Sequence, residues 1–306
     1  MMATKKVMAA GKVPGADKVP GAEKVPLAKK VPAANKAPVP EAVAGIKSAR
    51  RSVWNRGELS TDTDQVVTEC PVALVYNGIS HVVMMVTPVN LREFALGFSL
   101  SEGILESAAQ LLDFEVNETE LGLELALIIP SRQFAGLKAR RRNLTGRTGC
   151  GLCGAESLQQ AIVQPRSVNS DVQVTHEAID RAIGALQQHQ LLQQQTGAVH
   201  AAAWCDAQGE ILLLREDVGR HNALDKLLGA LQLHEASKEG FVLITSRASY
   251  EMVTKTASAN VAVLVAVSAA TSLAIEMAEQ CGIALVGFSQ PGRHAVYSCV
   301  ERISTA

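Results

Sequence analysis

Two thiols set two residues apart open the chemistry of this chain. In Thr148-Gly149-Cys150-Gly151-Leu152-Cys153-Gly154 a Cys-x-x-Cys pair sits among three glycines, residues that accept a positive φ without steric cost. The stretch reads as a mobile loop able to present two sulfurs, a setting that a buried core cysteine does not need. Such a pair serves three chemistries: half of a zinc site, a dithiol redox centre, or a carrier holding sulfur as a persulfide. Structural zinc takes about four N or S ligands. The chain has no second pair at matching spacing, and only an accident of folding would bring His200 and Cys205 to the first. A dithiol centre places its first cysteine at a helix N-terminus, which lowers the thiol pKa. Glycine next to each cysteine opposes a rigid helix start, although Arg147 and Arg140 to Arg142 can favour a thiolate. A zinc-dependent nucleoside deaminase needs His-x-Glu with Pro-Cys-x-x-Cys downstream. Here His200-Ala201-Ala202 has alanine in place of the glutamate, and the cysteine pair lies upstream without a proline. A loop that delivers a bound group suits the residues best, and thiol–disulfide exchange stays open.

Three further polar stretches follow strands. Arg215-Glu216-Asp217-Val218-Gly219-Arg220-His221-Asn222-Ala223-Leu224-Asp225-Lys226 is the densest, and it bridges a strand end and a helix start. It reads as lining a site, His221 and Asn222 included, with a structural salt-bridge cluster as the alternative. Thr245-Ser246-Arg247-Ala248-Ser249 repeats the arrangement after the next strand. It suits phosphate at a helix N-terminus or plain N-capping by Ser246 or Ser249. Phe288-Ser289-Gln290-Pro291-Gly292-Arg293 is a third such loop, a Pro-Gly turn with an arginine.

The elements that must position these residues follow from hydrophobic periodicity. Val66-Val67, Val72 to Tyr76 and His81 to Val86 read as strands, with Asn77-Gly78 as a tight hairpin turn. Thr87-Pro88 signals a helix start, running to about Leu100, and Leu121 to Ile129 is another strand. Beyond the cysteines, a helix from His176 to about Gln195 precedes strands at His200 to Cys205 and Ile211 to Leu214, then a helix at Arg220 to Leu231. Strands at Phe241 to Thr245, Val261 to Val267 and Ile283 to Phe288 alternate with helices at Tyr250 to Ala259 and Thr271 to Gln280. Alternation of this kind predicts a three-layer α/β/α domain, which binds ligands where its strands end. The expected layout is an α+β domain over 45–145, the cysteine loop over 146–165 and the α/β domain over 166–306.

Composition narrows the classes. Of 306 residues 47% are hydrophobic and the net charge is −1, so the chain can bury a sizeable core and offers no polyelectrolyte argument for nucleic acid. Cysteines at 70, 150, 153, 205, 281 and 299 do not space as a disulfide framework, and a reducing, cytoplasmic setting is expected. The N-terminus lacks the apolar core of a signal peptide. The longest apolar run, Val261 to Ile275, is interrupted by Ser268, Thr271 and Ser272 and falls short of the ~20 residues of a membrane span. Residues 1–44 repeat Lys-Val-Pro from 12, 18, 24 and 30, with Lys36-Ala37-Pro38 as a degenerate fifth copy. Proline at this frequency bars a regular helix, so this segment reads as a disordered or polyproline-like arm.

With these residues in hand the chain resembles the FdhD/NarQ family, the formate dehydrogenase accessory sulfurtransferases. The resemblance rests on Gly146 to Gly154, Thr196-Gly197-Ala198-Val199-His200, Arg215 to Lys226, Ile244-Thr245-Ser246-Arg247 and Ser268 to Ile275. It implies a cytidine-deaminase-like α/β fold without the deaminase zinc, and a cytoplasmic homodimer. It also implies a sulfur carrier that accepts a persulfide from a cysteine desulfurase and passes sulfur to the molybdenum cofactor, in its bis-guanine-dinucleotide form, for the catalytic subunit of formate dehydrogenase. Cys150 matches the family's persulfide cysteine and Cys153 the second of the pair. Phe288, Ser289, Gln290, Pro291, Gly292 and Arg293 match its cofactor-binding loop, while Arg247, His221 and Asn222 are expected beside the nucleotide phosphates. Two departures concern helix entry and packing: Ala270 where proline is expected, and Asn260 in place of a glycine-cysteine. A cofactor chaperone that moves no sulfur and a thiol–disulfide oxidoreductase are the rival readings.

Overall fold

The computed structural model describes residues 45–144, 166–234 and 239–305, with the backbone alone for Arg140 to Leu144. Cys150 and Cys153, the arm over 1–44 and the Arg147 part of the basic cluster lie outside the described residues. A six-stranded sheet organises the second half, in the order β13-β12-β11-β10-β8-β9. After a two-residue β7 (Val174–Thr175), its strands are β8 (His200–Asp206), β9 (Ile211–Asp217), β10 (Gly240–Ile244), β11 (Val263–Ala266), β12 (Ala284–Gln290) and β13 (Arg293–Val296). Strands β10, β11 and β12 are parallel, whereas β8 runs antiparallel to β10 and β13 to β12. Every residue of β10 and β11 is buried, the unbroken apolar run expected of strands covered on both faces.

Helices α5 (Arg220–Leu233), α6 (Tyr250–Ser258) and α7 (Ser272–Cys281) connect β9, β10, β11 and β12 in turn. Right-handed crossovers in one direction place all three on one face. Helix α3 (His176–His189) covers the other face with Ala178, Ile179, Ala182, Ile183 and Leu186. The α/β/α layering expected from the sequence is therefore present. The helix expected from His176 to about Gln195 breaks at Gln190, and α4 (Leu191–Thr196) continues it to a left-handed Gly197.

The first half builds a four-stranded sheet in the order β4-β3-β6-β5, from β3 (Cys70–Tyr76), β4 (Ile79–Val86), β5 (Asp113–Thr119) and β6 (Gly122–Ile128). Asn77 (φ 45°) and Gly78 (φ 80°) form the expected β3–β4 turn. Asn77 also exchanges two hydrogen bonds with Ile129, 2.9 Å to its carbonyl and 2.8 Å from its N–H. Asn77→Ala removes both bonds and leaves a residue that disfavours positive φ, so a loss of about 2 kcal/mol in urea denaturation is expected. Helix α1 (Leu91–Ser101) lies on this sheet with Phe94, Leu96 and Phe98 in its core. Its start falls later than Thr87-Pro88 suggested: the N-cap residue is Asn90, at φ 56°. Thr87 is instead a fully buried link to the second half, its N–H on Asp217 Oδ2 at 3.0 Å and its hydroxyl accepting from Val218 N at 3.2 Å. Helix α2 (Ser131–Leu144) follows β6.

Before these comes a ribbon that the periodicity hardly showed. Strands β1 (Ile46–Asn55) and β2 (Glu58–Val67) pair only with each other along their full length. Most of their residues are exposed, so no apolar alternation marks them. The base, Ile46 and Val67, packs against Leu192 and Val199, and Trp54 and Leu59 stand exposed opposite one another at the tip. Both sheets belong to one unit, Ala42–Ala306, joined where α1 crosses α5.

Candidate functional site

The register fixes which loops share an edge. His200 at the start of β8 stands opposite Asp217 at the end of β9, and Ala202 stands opposite Ile244 at the end of β10. The stretches 217–221, 245–249, 267–271 and 288–293 therefore all emerge at the carboxyl edge of the parallel strands, where open α/β sheets take their ligands.

Much of the dense polar stretch is occupied within the protein. Arg215 holds Glu93 of α1 through two nitrogens, at 2.5 and 2.7 Å. Burial pushes Glu93 upward, yet Arg215 and His234 together hold it below the usual carboxylate range. Glu216 accepts from the N–H groups of Leu192 and Gln193 at the start of α4, at 2.8 and 2.9 Å. Asp217 and Lys226 form a wholly buried ion pair at 2.7 Å. Asn222, also buried, gives its amide nitrogen to Met85 O and Asp217 Oδ1, both at 2.8 Å. Asp225 meets Lys255 at 3.0 Å and Ser101 Oγ at 2.7 Å. The alternative noted from the sequence, a structural salt-bridge cluster, thus describes six of these side chains, Asn222 among them. Their partners Thr87, Glu93 and Ser101 lie more than a hundred residues away, and nothing local in the sequence announces them.

Arg220 and His221 remain at the edge. His221 Nε2 stands 2.8 Å from Glu251 Oε2, and this imidazole holds the Glu251 carboxyl below its usual range. Burial, with Arg220 and His221 nearby, keeps the His200 imidazole below its ordinary value. Arg220 Nε is buried without a hydrogen-bond partner, as is the hydroxyl of Ser249. Ser249 occupies the N-cap position of α6 but makes no capping hydrogen bond. Two donors at adjacent helix N-termini are thereby left for an anion. Arg247 is exposed between them in sequence.

Cavities divide this edge. His221, Tyr250 and Glu251 line one of about 390 Å³ together with Phe98 of α1 and Arg166, the first described residue after the cysteine pair. His200 and Thr245 line another of about 490 Å³. The Phe288–Arg293 loop borders a third of about 450 Å³, lined by His176, Glu177, Asp180, Gly292, Arg293 and His294. His221 and the loop are therefore not brought to one cavity. Four strand spacings separate β9 from β12, roughly 19 Å. In the loop Phe288 adopts φ 50°, and its N–H reaches Ser268 O at 3.0 Å. Ser289 is fully buried with its hydroxyl unpartnered. His176, Asp180 and His294 carried no signal in the sequence, since α3 reads only as an amphipathic helix.

Other residues settle smaller points. His200 and Cys205 sit toward opposite ends of β8, roughly 17 Å apart along a strand, so they cannot share one tetrahedral ion. Cys70, Cys205, Cys281 and Cys299 are free thiols. Asn260 takes the left-handed conformation at φ 57° and accepts from Asn169 N at 2.8 Å. Ala270 bridges to Ala248 beside the N-cap Thr271. Both departures from the family pattern are accommodated by local backbone. No described helix is long and apolar enough to cross a membrane.

An α/β/α sheet whose carboxyl edge gathers cationic side chains, open helix N-termini and several cavities has the layout in which open α/β sheets take ligands. The chain belongs to the FdhD/NarQ family, whose model matches residues 67–304. It is 55% identical over 253 residues to a protein from Cupriavidus necator named sulfur carrier protein FdhD, covering 82% of this chain and 88% of that one. A crystal structure from Desulfotalea psychrophila, described as a formate dehydrogenase accessory protein, superposes with a TM-score of 0.65 at 26% identity. That match covers 85% of this chain and 99% of the other.

Proposed function

We propose that this protein is a sulfur carrier serving formate dehydrogenase, with Cys150 as the acceptor. The observation that carries the reading is the Cys150–Cys153 pair, set among glycines within the span that the family model matches. The name of the Cupriavidus relative supports it. In the proposed reaction the Cys150 thiolate attacks the terminal sulfur of a persulfide on a cysteine desulfurase. A new S–S bond forms, the donor's S–S bond breaks, and the donor cysteine leaves as a thiolate while the terminal sulfur keeps its proton. Arg166, the first described residue after the cysteines, lines the cavity that also holds His221 and Tyr250.

The acceptor in this reading is the molybdenum cofactor in its bis-guanine-dinucleotide form, bound as substrate. Three features fit a dinucleotide: unpartnered donors on Arg220 and Ser249, an exposed Arg247, and the Phe288–Arg293 loop beside its own cavity. The protein's part is to hold phosphate at helix N-termini and to keep the sulfur from solvent. A homodimer acting in the cytoplasm belongs to the same proposal.

Intact mass after incubation with a cysteine desulfurase and cysteine tests the carrier role. A reductant-labile gain of about 32 Da, one sulfur, is expected in the wild type and in Cys153→Ala but not in Cys150→Ala. A wild type that gains no mass while still binding the cofactor rejects sulfur transfer and leaves a cofactor chaperone. A reversible loss of 2 Da on oxidation, with both single variants inactive, would instead mark a dithiol oxidoreductase.

A further inference from the structure

We infer that the first turns of α3 hold the 288–293 loop in its binding shape, with Asp180 and His176 as positioning residues for a guanine nucleotide. This rests on the reading of that loop given above. Two contacts grip the β12–β13 hairpin on either side of Arg293. Asp180 Oδ1 accepts the Gly292 N–H at 2.5 Å, and Gly292 is the turn residue at φ 76°. One residue beyond Arg293, His294 Nε2 lies 2.7 Å from His176 Nδ1, with the two rings stacked at 4.9 Å and 25°.

The loop requires such a hold. The β12–β13 ladder loses register between Gly287 and Gln290, so strand pairing does not fix the residues between. Phe288 sits there at positive φ with half its surface exposed, a conformation that persists only where surroundings impose it. The Ser268 carbonyl holds Phe288 from one side, and α3 supplies the other. The helix is itself anchored: Thr175 caps it through Ala178 N at 3.1 Å, and Ala178, Ile179 and Ala182 are buried beneath the sheet. A cavity of about 450 Å³ between helix and hairpin lies within the range of small-molecule sites.

The imidazole contact also makes the grip sensitive to pH. One ring must stay neutral to accept the hydrogen bond, and two imidazoliums at this distance repel. Burial and His176 keep His294 below its ordinary value, against the opposing pull of Asp180. The charged and titratable groups facing the pair are Glu177 and Asp180 on α3 and Arg293 on the hairpin. A group whose value is depressed while the contact is made favours that contact at high pH, and the contribution is lost as pH falls through the depressed value.

Calorimetric titration of the full chain with GDP tests the assignment, alongside amide exchange over 288–293. Asp180→Ala is expected to weaken GDP at least about tenfold and to speed exchange across the loop, with the thermal midpoint unchanged. Asp180→Asn keeps an oxygen for the Gly292 N–H and should stay within about threefold of wild type. Wild-type affinity should fall as the pH drops below the ordinary imidazole value of about 6.5, and the fall should flatten in His176→Gln. Wild-type GDP binding that Asp180→Ala leaves intact, with unaltered exchange, overturns the positioning role alone. A wild type that takes up no GDP sinks the nucleotide reading of the loop and this inference with it.

Discussion

Gly97→Ala is expected to cost more than about 3 kcal/mol, enough to remove much of the stability of an ordinary domain. Helices α1 and α5 cross backbone to backbone at this residue. A methyl group there would overlap the Asp225 carbonyl and stand 2.7 Å from Gly229 N. Gly229 is the reciprocal position, where an added Cβ would run into the Glu93 carbonyl. Neither helix can yield. Phe94, Leu96 and Phe98 pin α1 in one core, and Leu224, Leu227 and Leu228 pin α5 in the other. Gly184→Ala supplies the control, because nothing lies within 4 Å of its added methyl. Removing a helical glycine there should stabilise by up to about 1 kcal/mol. Urea denaturation of the two variants decides the matter, and equal midpoints would refute the close-crossing account.

The second large effect concerns the buried pair. Asp217→Ala is expected to lose about 3–5 kcal/mol, the cost of stranding a buried charge. Burial already pulls Lys226 below its usual value, and Asp217 works against that pull. The substitution leaves the ammonium only the carbonyls of Thr87 and Glu216, at 2.9 and 3.2 Å. It also strips the acceptor from Thr87 N and Gly219 N and leaves Asn222 Nδ2 only the Met85 carbonyl. Lys226→Met is the milder change, since Asp217 keeps those three donors. The ordering gives a sharp test. Asp217→Ala with Lys226→Met should be more stable than Asp217→Ala alone, because the stranded cation is gone. A double variant weaker than either single one would show that the pair's worth lies elsewhere than in its charge.

Where local chemistry dictates structure, the sequence was readable. The apolar run Phe241 to Thr245 admitted only a covered strand, and β10 is one. Asn77-Gly78 admitted only a tight turn. Thr87-Pro88 misled because its signal is local and its true partner is not: Asp217, 130 residues on, takes the N–H of Thr87. Apart from Val66-Val67, the β1–β2 ribbon escaped notice because strands wet on both faces have no reason to alternate apolar and polar residues. At the site, charge density over Arg215 to Lys226 was visible, but the division of labour was not. Only contacts from the start of α4 and the end of β4 show that Glu216, Asp217, Asn222 and Lys226 face inward while Arg220 and His221 stay at the edge. Likewise Phe288 to Arg293 could be recognised as a loop, whereas the two α3 side chains gripping it lie more than 110 residues upstream.

The same long-range bonds bear on how the chain is made. As it leaves the ribosome, the four-stranded sheet and α1 are complete long before α5 appears. Until then the glycine face of α1 has no helix to meet and Thr87 has no carboxylate. Contacts this distant in sequence carry a large loop-closure penalty and slow folding. Half-made chains with such exposed surface are the species that aggregate. Synthesis of this protein therefore passes through a stage at which its first half exposes a helix face made for a partner not yet translated, and that exposure ends only when α5 has emerged through Gly229.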